Sequence, residues 1–343
     1  MAATHVFVEL SRAIGCYNIY VTLEQLPATL QVRLTPTPEC LYLQITADLV
    51  LVIPLAAPAP NTEAATVDLK DGVLTVRLPC QVEPSDVSYP VPVHSLQSGQ
   101  LMCGFCEAIV ACGLEQVYEL PELDWEELSE LWNCHPSHHQ KNPLVLEPYR
   151  YCLCRYFMAK LHAVLHPESS SGLEIIGQAS ASTVVSYLPV ACQNCSKLLG
   201  EVKMVPFRQV NGHARQFTLQ LNRIKDSTAH WSLLALVVRQ LALVPDFDYR
   251  RTLALAALEK PKSLLISVSA KNAMVLRNGK YQEAIKCLYE LGEMKDLNTQ
   301  RICSEDFEGL LEELKKRNRY LPVSLRKVGP KRLAYLVYSE ILP

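Results

Sequence analysis

Two C-x-x-C pairs, Cys103/Cys106 in "MCGFCEAIV" and Cys192/Cys195 in "ACQNCSKLLGE", constrain this chain more than any other feature. The spacing lets both sulfurs of a pair point at one ion, and two pairs supply the four thiolates of a tetrahedral zinc site with bonds of about 2.3 Å. With 85 residues between Cys106 and Cys192 (107 to 191), the halves are much farther apart than in a zinc finger, so the fold has to bring them together. The expectation is two turns at the tips of separate hairpins, closing one structural Zn2+ site per chain across a sheet. Four protein sulfurs leave no position for a substrate, so the site's contribution is stability, through the coupling of metal binding to folding. Two alternatives stay open: two unrelated buried pairs, or a redox-active pair, although neither flank resembles a thioredoxin-type turn.

The opening "MAATHVFVELSRAIG" has neither a basic leader nor a continuous apolar segment. With thirteen cysteines, that predicts a reducing compartment, cytoplasmic or nuclear. The most apolar windows, "LVLVIPLAAPAP" and "WSLLALVVRQLALV", are too short or interrupted to span a bilayer, and no membrane partner is expected. Thirty-three basic and 35 acidic side chains give a net charge of −2, which excludes a surface built wholly for nucleic acid. The basic cluster near the end, from Lys315 to Arg332, lacks the interleaved aromatics of an RNA-binding module and reads as a solvated face.

A length of 343 residues suggests two or three units. Residues 1–82 alternate apolar and polar side chains between turn-formers and read as an N-terminal β-sandwich. In "ATVDLKDGVLTVRLP" the pair Asp71-Gly72 supplies the positive dihedrals of a tight hairpin, and the phrase resembles strands of CS and small heat-shock domains. Residues 83–100, rich in Pro and Ser, read as a linker. Residues 101–205 form the zinc-stapled β region, and 206–343 an α+β region, for a mainly β chain overall. A capped helix is predicted at "LDWEELSELWN", with Asp124 and Glu127 as capping box. "HWSLLALVVRQLALV" reads as a buried helix or strand, and "KSLLISVSA" and "NAMVLRNGK" as strands with a turn at Asn278-Gly279. "YQEAIKCLYELGE" reads as a helix capped by Gly292, and "SEDFEGLLEELKKRN" as a helix capped by Ser304.

The second constellation is "WNCHPSHH", with Trp132, Cys134, His135, His138 and His139. Cys134 beside His135 could be an activated nucleophile, because imidazolium favours thiolate. A second metal site, a hook for a partner's metal, or a solvated turn ending the helix are the other readings. Cys152 and Cys154 read as buried small apolar residues.

"CGFC", "LPELDWEELSELWNCHP", "CQNCSKLLGE" and the terminal "RNRYLPVSLRKVGPKRLAYL" occur in that order. From about residue 100 onward the chain thereby resembles the HECT-like ubiquitin-conjugating-enzyme-binding family of proposed ubiquitin ligases. The resemblance implies binding of a ubiquitin-conjugating enzyme and of ubiquitin, and ubiquitin transfer to proteins, including cyclin B and the ligase itself. It places the conjugating-enzyme contact in the stretch from His230 to Leu243, with His230, Trp231, Leu234, Val237, Val238 and Leu241 as contact residues beside Trp132 and His138. It makes Cys134, with His135, the first candidate for activity. It also implies a link to the endonuclease that cleaves pre-mRNA 3′ ends, which the chain would maintain without catalysis. A true HECT ligase carries its thioester cysteine in a late Leu-Pro loop; here Leu321-Pro322-Val323-Ser324 is followed by Leu325, Arg326 and Lys327, and the nearest thiols are Cys287 and Cys303.

Overall fold

Alternating apolar side chains can bury one face of a strand, and most of this chain follows that pattern. In a computed structural model of the protein, the described residues are 3–25, 30–56, 60–82, 99–114, 116–119, 155–159, 161–165, 170–177, 186–205, 214–226, 232–243, 252–258, 262–293 and 299–341. The first group of strands is β1 (Ala3–Ser11), β2 (Cys16–Leu23), β3 (Arg33–Pro36), β4 (Cys40–Thr46), β5 (Leu49–Pro54), β6 (Thr66–Lys70) and β7 (Val73–Pro79). The middle of the chain adds β8 (Gln100–Cys103), β9 (Ile109–Cys112), β10 (Gln116–Glu119), β11 (Arg155–Ala159), β12 (His162–Leu165) and β13 (Leu173–Ile175). It continues with β14 (Ser186–Cys192), β15 (Leu198–Val205), β16 (Ala214–Gln220) and β17 (Ile224–Lys225). Helix α1 (Leu233–Leu243) follows, then β18 (Thr252–Ala257), β19 (Lys262–Arg277), β20 (Lys280–Glu293) and β21 (Gln300–Ile302). Helix α2 (Ser304–Arg319), β22 (Lys327–Val328) and β23 (Lys331–Val337) complete the described elements. The chain is mainly β, as expected, with two α-helices among the described residues.

One sheet of ten strands joins both ends of the sequence, in the order β22-β23-β20-β19-β1-β2-β7-β6, with β18 on β19 and β21 on β18. Strand β19 spans 16 residues, enough to pair with two neighbours along one edge. Its first half takes β18, with Thr252 opposite Ser267, and its second half takes β1, with Glu9 opposite Val275. The Glu9 carboxylate is buried and accepts from Lys286 Nζ of β20 at 2.9 and 3.0 Å, clamping the first strand to the C-terminal ones. A sheet of β3-β4-β5 covers β1, β2 and β7, and Leu41, Leu43, Ile45 and Ile53 interdigitate there with Tyr17, Ile19, Leu74 and Val76. The largest core joins the first half of β19 and β20, both helices and the two cysteine hairpins.

Two turns form as the sequence dictates: Asp71 and Gly72 have φ of 51° and 76°, and Asn278 and Gly279 have φ of 51° and 75°. For the described part of "HWSLLALVVRQLALV", Leu233–Leu243, the helix-or-strand choice is settled in favour of helix α1. "KSLLISVSA" and "NAMVLRNGK" are one strand, not two. Two further expectations are corrected. "YQEAIKCLYELGE" is not a helix but lies in β20, flanked by β19 and β23. Its sequence lacks a strict period of two because both faces of this central strand are covered: Ile285 and Cys287 enter the largest core, while Ala284 enters another. Hydrogen bonds to two neighbours outweigh its helical propensity. The N-cap of α2 is Cys303, with Ser304 the first helical residue.

Candidate metal centre

The hairpins β8–β9 and β14–β15 end in turns of the same construction. In the first, Glu107 N donates to Cys103 O at 3.0 Å and Cys103 N donates to Ala108 O at 2.8 Å. In the second, Ser196 N donates to Cys192 O at 2.8 Å and Cys192 N donates to Lys197 O at 2.9 Å. The residue after each second cysteine is left-handed, with φ of 62° at Glu107 and 57° at Ser196. This reversal returns the chain to the strand and leaves both sulfurs of the turn on one side.

The turns face each other. Cys103 Sγ lies 3.7 Å from Cys195 Sγ, and Cys106 Sγ lies 3.7 Å from Cys192 Sγ. All four sulfurs fall within 4.8 Å of one another. A tetrahedron with metal–sulfur bonds of about 2.3 Å has edges of about 3.8 Å, so the four residues fit a single ion. Cys103 and Cys192 are buried and Cys106 and Cys195 half-buried, and four sulfurs around one tetrahedral ion would leave no coordination position for a substrate. Burial pushes the Cys103 thiol up to about 12. A hydrogen bond with the Asn194 side chain, helped by the Ala108 backbone, draws Cys106 down to about 6. A bound ion would supply the positive charge that stabilises all four as thiolates together.

Two glycines let the backbones approach. A Cβ on Gly172 would sit 2.1 Å from Ile109 O, and one on Gly200 would sit 2.1 Å from Thr218 O. Gly172 thus lets the segment entering β13 lie against β9, and its carbonyl accepts from Gln193 N inside the second cysteine turn at 3.1 Å. Gly200 belongs to the Leu199-Gly200-Glu201 run after that turn. Leu199 is fully buried, and Glu201 pairs with Arg301 at 3.3 Å.

Arg223 joins the centre to the rest of the protein, a role nothing near it in sequence announces. Its side chain is 3% exposed. Nε donates to Asp306 Oδ2 at 2.5 Å, a second nitrogen to Glu305 Oε2 at 3.1 Å, and a third to Leu198 O at 3.0 Å. Its own carbonyl accepts from Gly104 N at 2.9 Å, and its guanidinium stands 5.5 Å from the centre of the Phe105 ring. One side chain therefore touches both cysteine turns and the first turn of α2, where carboxylates are favoured by the helix dipole. The partners lie 82 and 83 residues away, so no local signal could have found them.

Of the other predicted site residues, Leu234 is half-buried on α1, while Val237, Val238 and Leu241 are packed in the core. Trp132, Cys134, His135 and His138, the helix predicted around "LDWEELSELWN", Cys152 and Cys154, and His230 and Trp231 lie outside the described residues, as does nearly all of the linker. Cys287 and Cys303 are buried, and burial pushes Cys287 up to about 12. No helix among the described residues is long and apolar enough to cross a membrane.

No curated protein and no solved structure matches the chain at a significant level. A family model described as "HECT-like Ubiquitin-conjugating enzyme (E2)-binding" matches residues 9–332, a span that takes in the N-terminal strands, both cysteine turns, Arg223 and both helices. The chain belongs to this HECT-like, ubiquitin-conjugating-enzyme-binding family.

Proposed function

We propose that the protein binds a ubiquitin-conjugating enzyme and promotes transfer of ubiquitin to proteins, cyclin B and the chain itself among the acceptors. The family match over residues 9–332 carries this reading. The chemistry of the late cysteines supports discharge directly from the conjugating enzyme. A thioester relay needs a reachable thiolate, whereas Cys287 is fully buried with its thiol pushed up to about 12, and Cys303 is buried at the start of α2. Cys134, with His135 beside it, is the nucleophile of the covalent alternative.

Zinc is the metal proposed for the four-cysteine centre, since four thiolates at tetrahedral spacing suit a soft-accepting d10 ion. Its role is to tie the two hairpins together, outside the transfer chemistry. The burial of the late cysteines also favours a second reading, in which the chain binds and maintains the pre-mRNA 3′-end endonuclease without catalysis. Both readings propose a cytoplasmic or nuclear protein.

The deciding experiment adds the full chain, wild type or Cys134→Ser, to conjugating enzymes precharged with ubiquitin, with free lysine as acceptor, on non-reducing gels. Faster discharge by both forms supports direct transfer. A reducible adduct lost in Cys134→Ser establishes the covalent route. No acceleration by either form, with no binding to any conjugating enzyme, overturns the ligase reading in favour of the second.

A further inference from the structure

On one face of the ten-stranded sheet, the register puts Tyr20 of β2 opposite Thr75 of β7, and Thr75 opposite Asp68 of β6. Arg77 stands opposite Thr66, and Val73 opposite Lys70, on the same face. Strands β6 and β22 end the main run of this sheet. The turn leading into β22 folds back over the face: Leu325 N donates to Pro322 O at 2.9 Å, and Leu321 and Leu325 share a core with Tyr20 and Val73. Between that turn and β6 lies a cleft of about 320 Å³, with Ser324 on one wall and Thr66, Asp68 and Lys70 on the other.

Several polar groups of this cleft are not used by the fold. Lys70 and Arg77 are exposed, and neither pairs with a carboxylate among the described residues. Tyr20 also lines the cleft; it is 8% exposed, and its hydroxyl has no hydrogen-bond partner among the described residues. Burial, with the nearby Glu9, pushes that phenol up to about 12, so it remains a protonated donor at neutral pH. The hydroxyls of Thr66, Thr75 and Ser324 can rotate to donate as well. Two cations and four hydroxyls, set against the single carboxylate of Asp68, suit one compact anion such as a phosphoryl group.

Two observations bear on what carries that anion. The outer edge of β6 pairs with no strand among the described residues, so its N–H and C=O groups can take an extended peptide as one more strand. The ring of Tyr20 is packed against Phe7, 6.2 Å between centres, and offers no open face to a nucleic-acid base. Asp68 would also repel the neighbouring phosphates of a nucleic-acid backbone.

We propose that the cleft binds a phosphoserine or phosphothreonine within an extended segment of a partner protein. The segment lies along β6, and the short arm of the phosphorylated residue brings its oxygens to Lys70, Arg77 and the Tyr20 hydroxyl. Without the phosphoryl group the two cations gain no partner, and the charged edge of β6 discourages indiscriminate strand pairing. None of these residues belongs to the cysteine centre or to the stretch 230–243, so the inference stands apart from the conjugating-enzyme reading.

The test probes an array of peptides with a central phosphoserine or phosphothreonine, each beside its unphosphorylated counterpart, using the full chain as wild type or Lys70→Gln/Arg77→Gln. Both side chains are exposed, and thermal unfolding checks that the variant keeps the fold. Wild type should retain a subset of peptides only when they are phosphorylated. For these, fluorescence anisotropy in solution should show binding weaker by about tenfold or more in the double variant. Bound phosphopeptide should also slow amide hydrogen exchange in β6. No preference for phosphorylated peptides, or equal binding by the folded variant, overturns the site. Loss of binding in the variant without slowed exchange in wild-type β6 overturns the seating along that strand. A single-stranded RNA bound more tightly than any phosphopeptide, and lost in the variant, assigns the cleft to nucleic acid and overturns the proposal.

Discussion

Arg223 Nε and Asp306 Oδ2 meet at 2.5 Å, joining the segment beside the cysteine turns to the first turn of α2. Asn222 Nδ2 donates to the same carboxylate oxygen at 2.9 Å. The carboxylate answers both a buried guanidinium and the positive end of a helix, two charges that would be costly to leave unpaired in the core.

Replacing Arg223 with Met therefore strands Asp306 in a largely buried position. Breaking a fully buried pair costs about 3–5 kcal/mol, and the partial exposure of Asp306 and Glu305 reduces this to about 2–3 kcal/mol. Urea unfolding should show that loss. The double variant Arg223→Met/Asp306→Leu should recover part of it, and additive losses would refute the coupling.

Removing the metal should loosen the join between the two cysteine hairpins. Replacing Cys103 or Cys192, both buried, with Ser should abolish stoichiometric zinc by elemental analysis and lower the unfolding temperature. Cys112→Ser, an exposed cysteine outside the cluster, should change neither. Because the ion displaces thiol protons, acid should favour its release, and a chromophoric chelator should extract zinc faster as pH falls. Pronounced retention in acid would argue against thiolate ligation.

Alkaline pH should destabilise the fold through Cys287. Its thiol is raised from 9.0 to about 12 by burial, so the unfolded chain loses this proton before the folded one does. Its contribution is fully present below pH 9 and is lost as pH rises from there towards 12, at up to about 1.4 kcal/mol per pH unit. Cys287→Ala should cost stability at neutral pH, yet show a shallower decline above pH 9 when denaturation midpoints are compared. An unaltered slope would exclude Cys287 as the cause.

Two glycines should respond in opposite directions to the same change. Gly200→Ala puts a Cβ 2.1 Å from the Thr218 carbonyl oxygen, and relieving that contact should cost about 1–3 kcal/mol or more. Gly309→Ala adds a methyl where none of the described residues lies within 4 Å, and should stabilise α2 by up to about 1 kcal/mol. Thermal unfolding of the two variants distinguishes a glycine the fold requires from one it does not.

The sequence by itself determined what depends on a few adjacent residues. The cysteine spacing specified two ion-facing turns, Asp71-Gly72 and Asn278-Gly279 specified tight reversals, and "SEDFEGLLEELKKRN" specified a helix through its period and its graded charge. Those features are set by local dihedral preference and by side chains one turn apart, so they survive without knowledge of the fold. Only the tertiary structure decided that the two cysteine turns face each other, that β20 is a strand, that Val237, Val238 and Leu241 point into the core, and that Arg223 finds Asp306. Each of these is settled by partners tens to hundreds of residues away. Burial on both faces erased the period that would have identified β20, and the choice of partner for a buried charge leaves no mark on the residues beside it.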